Sequence, residues 1–246
     1  MFEKATKNDY NEILEILIDA FKLSVSEASK MLDMTIDDTL LLRNGEIISV
    51  ASALDFKFGN STGKYIYAVA TRKDFRNKGY CSLLLKELIN YYNNKCDVLL
   101  LKPANKELFS FYKQNGFNDI IHANTLTFDI FSNSDIPLKK GTFNDYIKHR
   151  KHYTDFKWTE KVYNYNFDEY EYKVLYTENT LLLYRIEKDI CYIDEIYTKD
   201  LNDTISAVHK ITKANKIIVT VDGKDEFALA KFYKEKKDIC FRLPME

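Results

Sequence analysis

The sequence predicts an α/β protein of the α+β type, with a mixed, mostly antiparallel central sheet flanked by helices. Apolar residues recur at helical spacing in some segments and form short apolar runs bounded by turn residues in others. The stretch Ala68–Ser82 passes from an apolar strand through a charged turn into a helix. The second half repeats the order of the first. At 246 residues the chain is long enough for one large or two small domains.

The first half alternates between strands and helices. Asn8 or Asp9 is predicted to cap the first helix and Ser24 the second, and Asn44-Gly45 predicts a hairpin with a type I′ turn. Gly116 is the expected stop of the last helix. The predicted strands are 2–5, 40–43, 47–58, 65–71, 97–101, 117–121 and 125–131, and the predicted helices begin near 9, 24, 80 and 105.

The second half copies this order, with three antiparallel strands, a helix, a strand and a helix. Ser132–Pro137 is small, polar and ended by proline, so it is the candidate linker between domains 1–132 and 138–246. The predicted elements are helices 142–153, 202–213 and 225–236, and strands 172–176, 181–186, 190–198 and 217–221. In the last helix, Leu229, Phe232 and Tyr233 follow Leu108, Phe111 and Tyr112 by 121 positions.

The turn after the strand 65–71 has the features of an anion site. The first N–H groups of a helix lack internal partners, and the helix dipole adds partial positive charge there. Arg76 and Lys78 contribute full charges, and Gly79 lets a ligand approach the backbone closely. The physical interpretation is a pyrophosphate site, although the glycine pattern matches neither dinucleotide-binding nor P-loop motifs.

Two motifs resemble those of the GCN5-related N-acetyltransferase (GNAT) family. Residues 76–81, Arg-Asn-Lys-Gly-Tyr-Cys, resemble its Arg/Gln-x-x-Gly-x-Gly/Ala signature, with Cys81 in the last small position. Asn105–Phe117 resembles its second signature, a helix that carries Phe-Tyr and closes on Gly-Phe. The resemblance extends over about residues 2–131. It implies the GNAT fold, followed in the chain by a second, smaller GNAT-like domain.

The resemblance also implies a co-substrate, acetyl-CoA, and no metal. The implied catalytic residue is Tyr112, which would protonate the leaving thiolate, although a tyrosine beside other aromatics is more often a core residue. Asn105 would bind the pantetheine arm, and its alternative role is a helix cap. The implied cofactor-binding residues are Val69, Ala70, Thr71, Arg76, Asn77, Lys78, Gly79, Tyr80, Cys81, Ser82 and Asn105.

The second copy is predicted to have lost this site. Its turn, residues 198–203, contains no arginine or glycine, and Asp200 and Asp203 would repel a pyrophosphate. The cleft between the two halves is the expected acceptor site. Tyrosines between Tyr163 and Tyr176 fit a domain interface better than an acceptor pocket.

No residue stands out as a general base. Asp55, Glu46 and His122 are candidates, and each fits a surface group equally well. His149 and His152 are spaced like a metal pair, but their basic neighbours and the lack of a third ligand favour solvated histidines.

Composition excludes several function classes. With 36 basic and 37 acidic residues, the net charge of −1 argues against nucleic acid or anionic membrane as partner. No apolar run approaches the roughly 20 residues of a membrane span, and the N-terminus does not resemble a signal peptide. The four cysteines are widely spaced, which predicts reduced thiols in a cytoplasmic protein, so the sequons at Asn60 and Asn202 are chance matches.

These observations predict an N-acetyltransferase that moves an acetyl group to an amine by direct attack. The acceptor is a small molecule or a peptide, and the protein is a monomer or homodimer. The alternative is a non-catalytic module that binds or senses acyl-CoA, and a pure interaction protein is the third possibility.

Overall fold

The computed structural model describes residues 1–234. These residues form two compact units, the first from 1–120, 157–162 and 228–234, and the second from 121–156 and 163–227. The chain therefore passes from the first unit to the second at Ile120, upstream of the linker 132–137. The domain boundaries 1–132 and 138–246 stay a prediction. Cys240 and the end of the predicted last helix, 235–236, lie outside the described residues.

Regular elements occupy most of the described chain. The α-helices are α1 (Tyr10–Phe21), α2 (Val25–Thr35), α3 (Tyr80–Tyr92), α4 (Lys106–Gln114), α5 (Phe143–Arg150), α6 (Glu160–Glu169) and α7 (Leu201–Thr212). The strands are β1 (Phe2–Lys4), β2 (Thr39–Asn44), β3 (Glu46–Phe58), β4 (Ser61–Thr71), β5 (Val98–Leu101), β6 (Asp119–Phe128), β7 (Lys139–Gly141), β8 (Phe156–Trp158), β9 (Lys173–Tyr176), β10 (Leu181–Glu187), β11 (Ile190–Tyr197) and β12 (Lys216–Phe232).

The first unit is a mixed sheet covered by helices on both faces. Strands β1 to β5 are neighbours in chain order, antiparallel except for the parallel pair β4 and β5. Ile13, Leu17 and Leu32 of α1 and α2 are buried on one face, and Leu84 and Leu88 of α3 are buried on the other. This arrangement confirms the predicted fold class.

Capping explains where the first helices begin. Ser24 accepts a hydrogen bond from the Glu27 N–H, and the Glu27 carboxylate accepts one from the Ser24 N–H, so the predicted cap of α2 is a complete capping box. Asp9 is the N-cap residue of α1, but its side chain makes no capping hydrogen bond there. Its carboxylate accepts instead from the N–H of Thr6, the N-cap of the short 3-10 helix Lys7–Asp9.

The second unit repeats much of the first. Strands β9, β10 and β11 are antiparallel neighbours, and β11 pairs in parallel with the first residues of β12. Helix α7 lies between these two strands in the chain, as α3 lies between β4 and β5. The three predicted strands, the helix and the start of the next strand are therefore confirmed.

The predicted last helix, Asp225–Lys236, is wrong over its described residues. Strand β12 continues to Phe232, and Leu229–Phe232 pair antiparallel with β5 of the first unit. Leu229 is fully buried there. The spacing of Leu229, Phe232 and Tyr233 satisfies a helix locally, but pairing with the edge of β5 decides the conformation. The offset of 121 residues thus relates a helix to a strand and is no structural repeat.

Two smaller predictions differ from the structure. One strand, β6, replaces the two predicted at 117–121 and 125–131. The hairpin turn is not type I′, because only Gly45 has a positive φ, 81°, and that turn requires two. The tyrosine-rich segment begins as helix α6, and the Tyr163 ring centroid lies 5.9 Å from that of Tyr146 within the second unit, so its place at a domain interface stays a prediction.

Candidate active site

The central strand β4 loses its parallel neighbour partway along its length. It pairs with β5 only at Gly63–Tyr65, whereas its antiparallel pairing with β3 continues to Thr71. Among the described residues, the segment with Val69, Ala70 and Thr71 has no strand on the β5 side. This open edge can accept an extended, amide-bearing ligand as an added strand.

A β-bulge at Ala68 lies directly before this open edge. The register with β3 shifts between Ser52 opposite Tyr67 and Val50 opposite Ala70. Ala68 has a φ of 52°, which costs a residue with a Cβ about 1 kcal/mol. Bulges bend a strand and re-aim the residues that follow, and backbone strain of this kind is concentrated at functional sites.

The turn between β4 and α3 forms a concavity of open main-chain N–H groups, the backbone pattern of an anion site. Asn77 and Gly79 both have left-handed backbones, with φ of 60° and 81°. Gly79 is the N-cap and has no side chain, and no group in residues 1–234 accepts the N–H groups of Tyr80, Cys81 and Ser82. A Cβ placed on Gly79 would meet nothing within 4 Å, so a ligand has room to reach these donors.

The two cations of the turn have different surroundings. Arg76 donates from Nε to the carbonyl of Thr71 at 2.9 Å and from Nη2 to Asp19 at 2.5 Å. Lys78 places its Nζ 5.6 Å from the Phe75 ring, and no carboxylate in the described part of the chain forms an ion pair with it. Lys78 is therefore the cation available to an anion at this turn.

Tyr112 projects from α4 into the core of the first unit. It is 9% exposed, and its ring lies 5.4 Å from Phe111 and 6.2 Å from Phe117. Burial raises the pKa of the Tyr112 phenol far above its ordinary value, and the neighbouring Cys81, in its thiolate form, raises it further. No hydrogen-bond partner of the Tyr112 hydroxyl occurs within residues 1–234. The phenol is thus a protonated group beside the start of α3.

Cys81 links this tyrosine to the end of the central strand. Burial raises the pKa of its thiol to about 11, while a hydrogen bond with Thr71 lowers it. The Thr71 hydroxyl is in turn 2.8 Å from the hydroxyl of Ser49. Tyr112 and Cys81 therefore belong to the same apolar cluster, and Cys81 also contacts Thr71 at the end of β4.

Asn105 caps α4, and its amide oxygen accepts the Leu108 N–H at 3.0 Å. Its amide nitrogen stays available to a ligand.

A cavity of about 340 Å³ extends from Ser82 along α3. Its other lining residues are Leu83, Lys86, Ile89, Asn90, Gln114 and Asn115. Sequence reasoning missed this cavity, because it depends on how α3 and the end of α4 pack.

The candidate bases occupy ordinary surface positions. The Asp55 carboxylate pairs with Lys64 at 2.9 Å, Glu46 lies 3.4 Å from Arg72, and His122 is exposed. His149 lies against Tyr176, with ring centroids 4.6 Å apart. Within residues 1–234, no three His, Cys, Asp or Glu side chains cluster as metal ligands would, and no helix is long and apolar enough to cross a membrane.

The corresponding turn of the second unit is closed by its own side chains. Asp200 is the N-cap of α7 and accepts the N–H of Asp203 at 2.9 Å. Thr198 bonds to Thr204 across the same turn, at 2.7 Å. A carboxylate therefore occupies the place where α3 leaves its donors open.

One family model matches a segment of the first unit. Residues 11–117 match the model of the Acetyltransferase (GNAT) family, so the chain carries a GNAT acetyltransferase domain. Both signature segments, 76–81 and 105–117, lie inside the match. A search of curated proteins finds no match.

Many solved structures share the fold of the whole described chain. GCN5-related N-acetyltransferases from Anabaena variabilis and Kribbella flavida align over 95% of this chain, and over 73% and 72% of their own, with TM-scores of 0.73 and 0.71. Their sequence identities are 13% and 14%. A GCN5-related N-acetyltransferase from Sphaerobacter thermophilus aligns over 97% of both chains, with a TM-score of 0.55 and 10% identity. At these identities the likeness shows the fold alone.

Proposed function

We propose that the protein is an acetyl-CoA-dependent N-acetyltransferase whose active site lies in the first unit. The observation that carries the proposal is that an open strand edge and an open helix N-terminus flank one turn, and that the buried phenol of Tyr112 lies in the same core cluster as Cys81 of that helix. A pyrophosphate fits the N–H groups above Gly79, and a pantetheine arm fits the edge at Val69–Thr71.

The chain's own residues have separable roles in this proposal. N–H groups from Asn77 to Ser82 bind the pyrophosphate, and Lys78 adds charge. The cavity along α3, with Lys86 at its wall, has room for further parts of the cofactor. Arg76 supports the turn, and the amide nitrogen of Asn105 is free to donate to the arm.

Direct attack requires little further machinery. When bound, acetyl-CoA supplies an activated acetyl thioester for the acceptor amine. A main-chain N–H at the open edge would polarise the thioester carbonyl. As the nitrogen–carbon bond forms and the carbon–sulfur bond breaks, the amine would lose a proton to solvent and Tyr112 would give one to the leaving sulfur, to be reprotonated from solvent. The raised pKa of Tyr112 keeps it protonated at neutral pH, as an acid must be before transfer.

The acceptor is an amine of a small molecule or a peptide. The second unit is a degenerate GNAT-like copy without a cofactor site, because Asp200 occupies its helix N-terminus. We further propose that the protein is cytoplasmic, that it is a monomer or a homodimer, and that it has no nucleic-acid or membrane partner.

Calorimetric titration of acetyl-CoA tests the binding site. We expect micromolar binding by the wild type and none by Gly79→Glu, whose carboxylate would stand in the concavity. Gly79→Ala is the matched control, since it introduces the same backbone strain without the carboxylate and should retain weakened binding. No binding by the wild type would refute the proposal.

The alternative is a module that binds acyl-CoA without turning it over. It is favoured by the ion pairs of Asp55 and Glu46, which leave no evident base. A panel of amines offered to the wild type and to Tyr112→Phe separates the two functions. Thiol release that falls at least tenfold in Tyr112→Phe supports catalysis, whereas no release with any amine supports the binding module.

A further inference from the structure

Helix α1 holds both ends of the turn that precedes α3. Arg72, just before the 3-10 helix Lys73–Phe75, donates from Nη2 to Glu12 at 2.6 Å and from Nε to the carbonyl of Ile47 at 2.8 Å. Arg76, just after it, reaches Asp19 of the same helix. The two arginines that flank the turn are therefore directed at carboxylates of α1.

Arg76 joins three parts of the first unit. Its Nε bonds to the last carbonyl of β4, at Thr71, and its Nη2 bonds to Asp19, while its main chain leads into Asn77. Lys22, the nearest other cation, lies 3.2 Å from the second oxygen of Asp19. The pKa of Asp19 is lowered, first by the hydrogen bond from Lys22 and also by the charge of Arg76, so it is ionised at neutral pH.

We infer that Asp19 positions the phosphate-binding turn through Arg76, and that Lys78 supplies the cation that meets the phosphates. This inference rests on the proposed function. Asn77 has a Cβ and a left-handed backbone, which carries a conformational cost, so contacts from the surroundings help to hold the turn in this conformation. The hydrogen bonds of Arg76 hold it before the ligand arrives, and preorganisation of this kind strengthens binding.

The direction in which Asp19→Asn changes the affinity for acetyl-CoA distinguishes this positioning role from direct contact between Arg76 and phosphate. If Arg76 bound phosphate itself, Asp19 would compete for the guanidinium, and Asp19→Asn would leave binding unchanged or strengthen it. If Asp19 positions the turn through Arg76, Asp19→Asn weakens binding although it removes a negative charge near an anion. Simple electrostatics predicts the opposite direction.

Calorimetry with acetyl-CoA on the full chain provides the test. We expect Asp19→Asn and Arg76→Gln each to raise Kd about three- to tenfold, and the double variant to bind no worse than the weaker single one. Lys22→Gln, which removes the other ion pair of the same carboxylate, should leave Kd unchanged, and Asp19→Glu should restore part of the affinity. Lys78→Gln should weaken binding and reduce its salt dependence, whereas Asp19→Asn should leave that dependence intact.

Additive losses in the double variant, unchanged binding by Asp19→Asn, or an unchanged salt dependence in Lys78→Gln would overturn the inference. Hydrogen exchange without ligand keeps the inference about the turn separate from the proposed function. We expect amides of residues 72–80 to exchange faster in Asp19→Asn and Arg76→Gln than in the wild type or Lys22→Gln. If the wild type fails to bind acetyl-CoA, the proposed function fails. Unchanged exchange refutes the positioning role in either case.

Discussion

The pairing of the last strand with β5 makes a sharp prediction at Leu229. This residue is fully buried in the core of the first unit, with Leu99, Leu101 and Phe117 in the same cluster. Tyr233 reinforces the pairing, since its N–H donates to the Asp97 carbonyl at 3.0 Å and its hydroxyl to the Ile89 carbonyl at 2.6 Å. We expect Leu229→Ala to create a cavity in the first unit.

The loss of stability expected for Leu229→Ala follows from the burial of the leucine side chain. Truncating a fully buried leucine to alanine costs about 2–5 kcal/mol, through lost transfer free energy and the residual cavity. A value near 3 kcal/mol would raise the unfolded fraction of this region roughly a hundredfold. Leu182→Ala is the matched control, because Leu182 is equally buried but belongs to the core of the second unit.

Urea unfolding with residue-resolved hydrogen exchange measures both effects. Leu229→Ala should lower the free energy of unfolding and speed exchange at Val98–Leu101. Leu182→Ala should first speed exchange in β10 and its neighbours. Unchanged exchange at Val98–Leu101 in Leu229→Ala would refute the assignment of this strand to the first unit.

Three further predictions concern single side chains. The pKa of the Cys81 thiol is raised to about 11, so it should react with iodoacetamide at pH 8 roughly a hundredfold more slowly than an ordinary cysteine. Bound CoA should slow the reaction further. A normal rate would contradict the burial of this thiol. The pKa of Asp97 is lowered, first by the hydrogen bond from Lys234 and next by the Thr62 N–H. The ionised Asp97 therefore stabilises the fold fully above its unfolded pKa near 3.8, and this stabilisation is lost as the pH falls through the lower pKa of the folded protein. In urea titrations at a series of pH values, Asp97→Asn should reduce the loss of stability at acidic pH. Asp200→Ala removes the cap of α7 and should cost about 1 kcal/mol in thermal unfolding without affecting acetyl-CoA binding.

Local patterns were reliable where one element carries its own signal. The cap at Ser24, the start of α3 after Gly79 and the cap at Asn105 were all predicted, because caps and glycines act within a few residues of their position. The same holds for the order of strands and helices from β1 to α4 and from β9 to the start of β12, whereas β7, β8 and α6 were not predicted. The turn before α3 was an equally local prediction, since its N–H donors are consecutive main-chain groups.

Long-range pairing was not predictable from these patterns. Residues 229–232 satisfy helical spacing, yet they form a strand because β5 presents an edge more than 120 residues away in the chain. The turn at Asn44-Gly45 also departs from the favoured type, and the register of its hairpin shifts between Leu42 and Arg43. The strand at 229–232 arises from a partner that lies outside the local segment.

By itself the sequence determined the fold class, the family resemblance and the residues of the turn before α3. Only the tertiary structure decided which of those residues are available to a ligand. It paired Arg76 with Asp19, left Lys78 open, opened the edge of β4 after Tyr65 and placed Tyr112 near Cys81. The sequence specifies which side chains the turn carries. Whether each of them is available to a ligand depends on partners that folding brings together from distant positions.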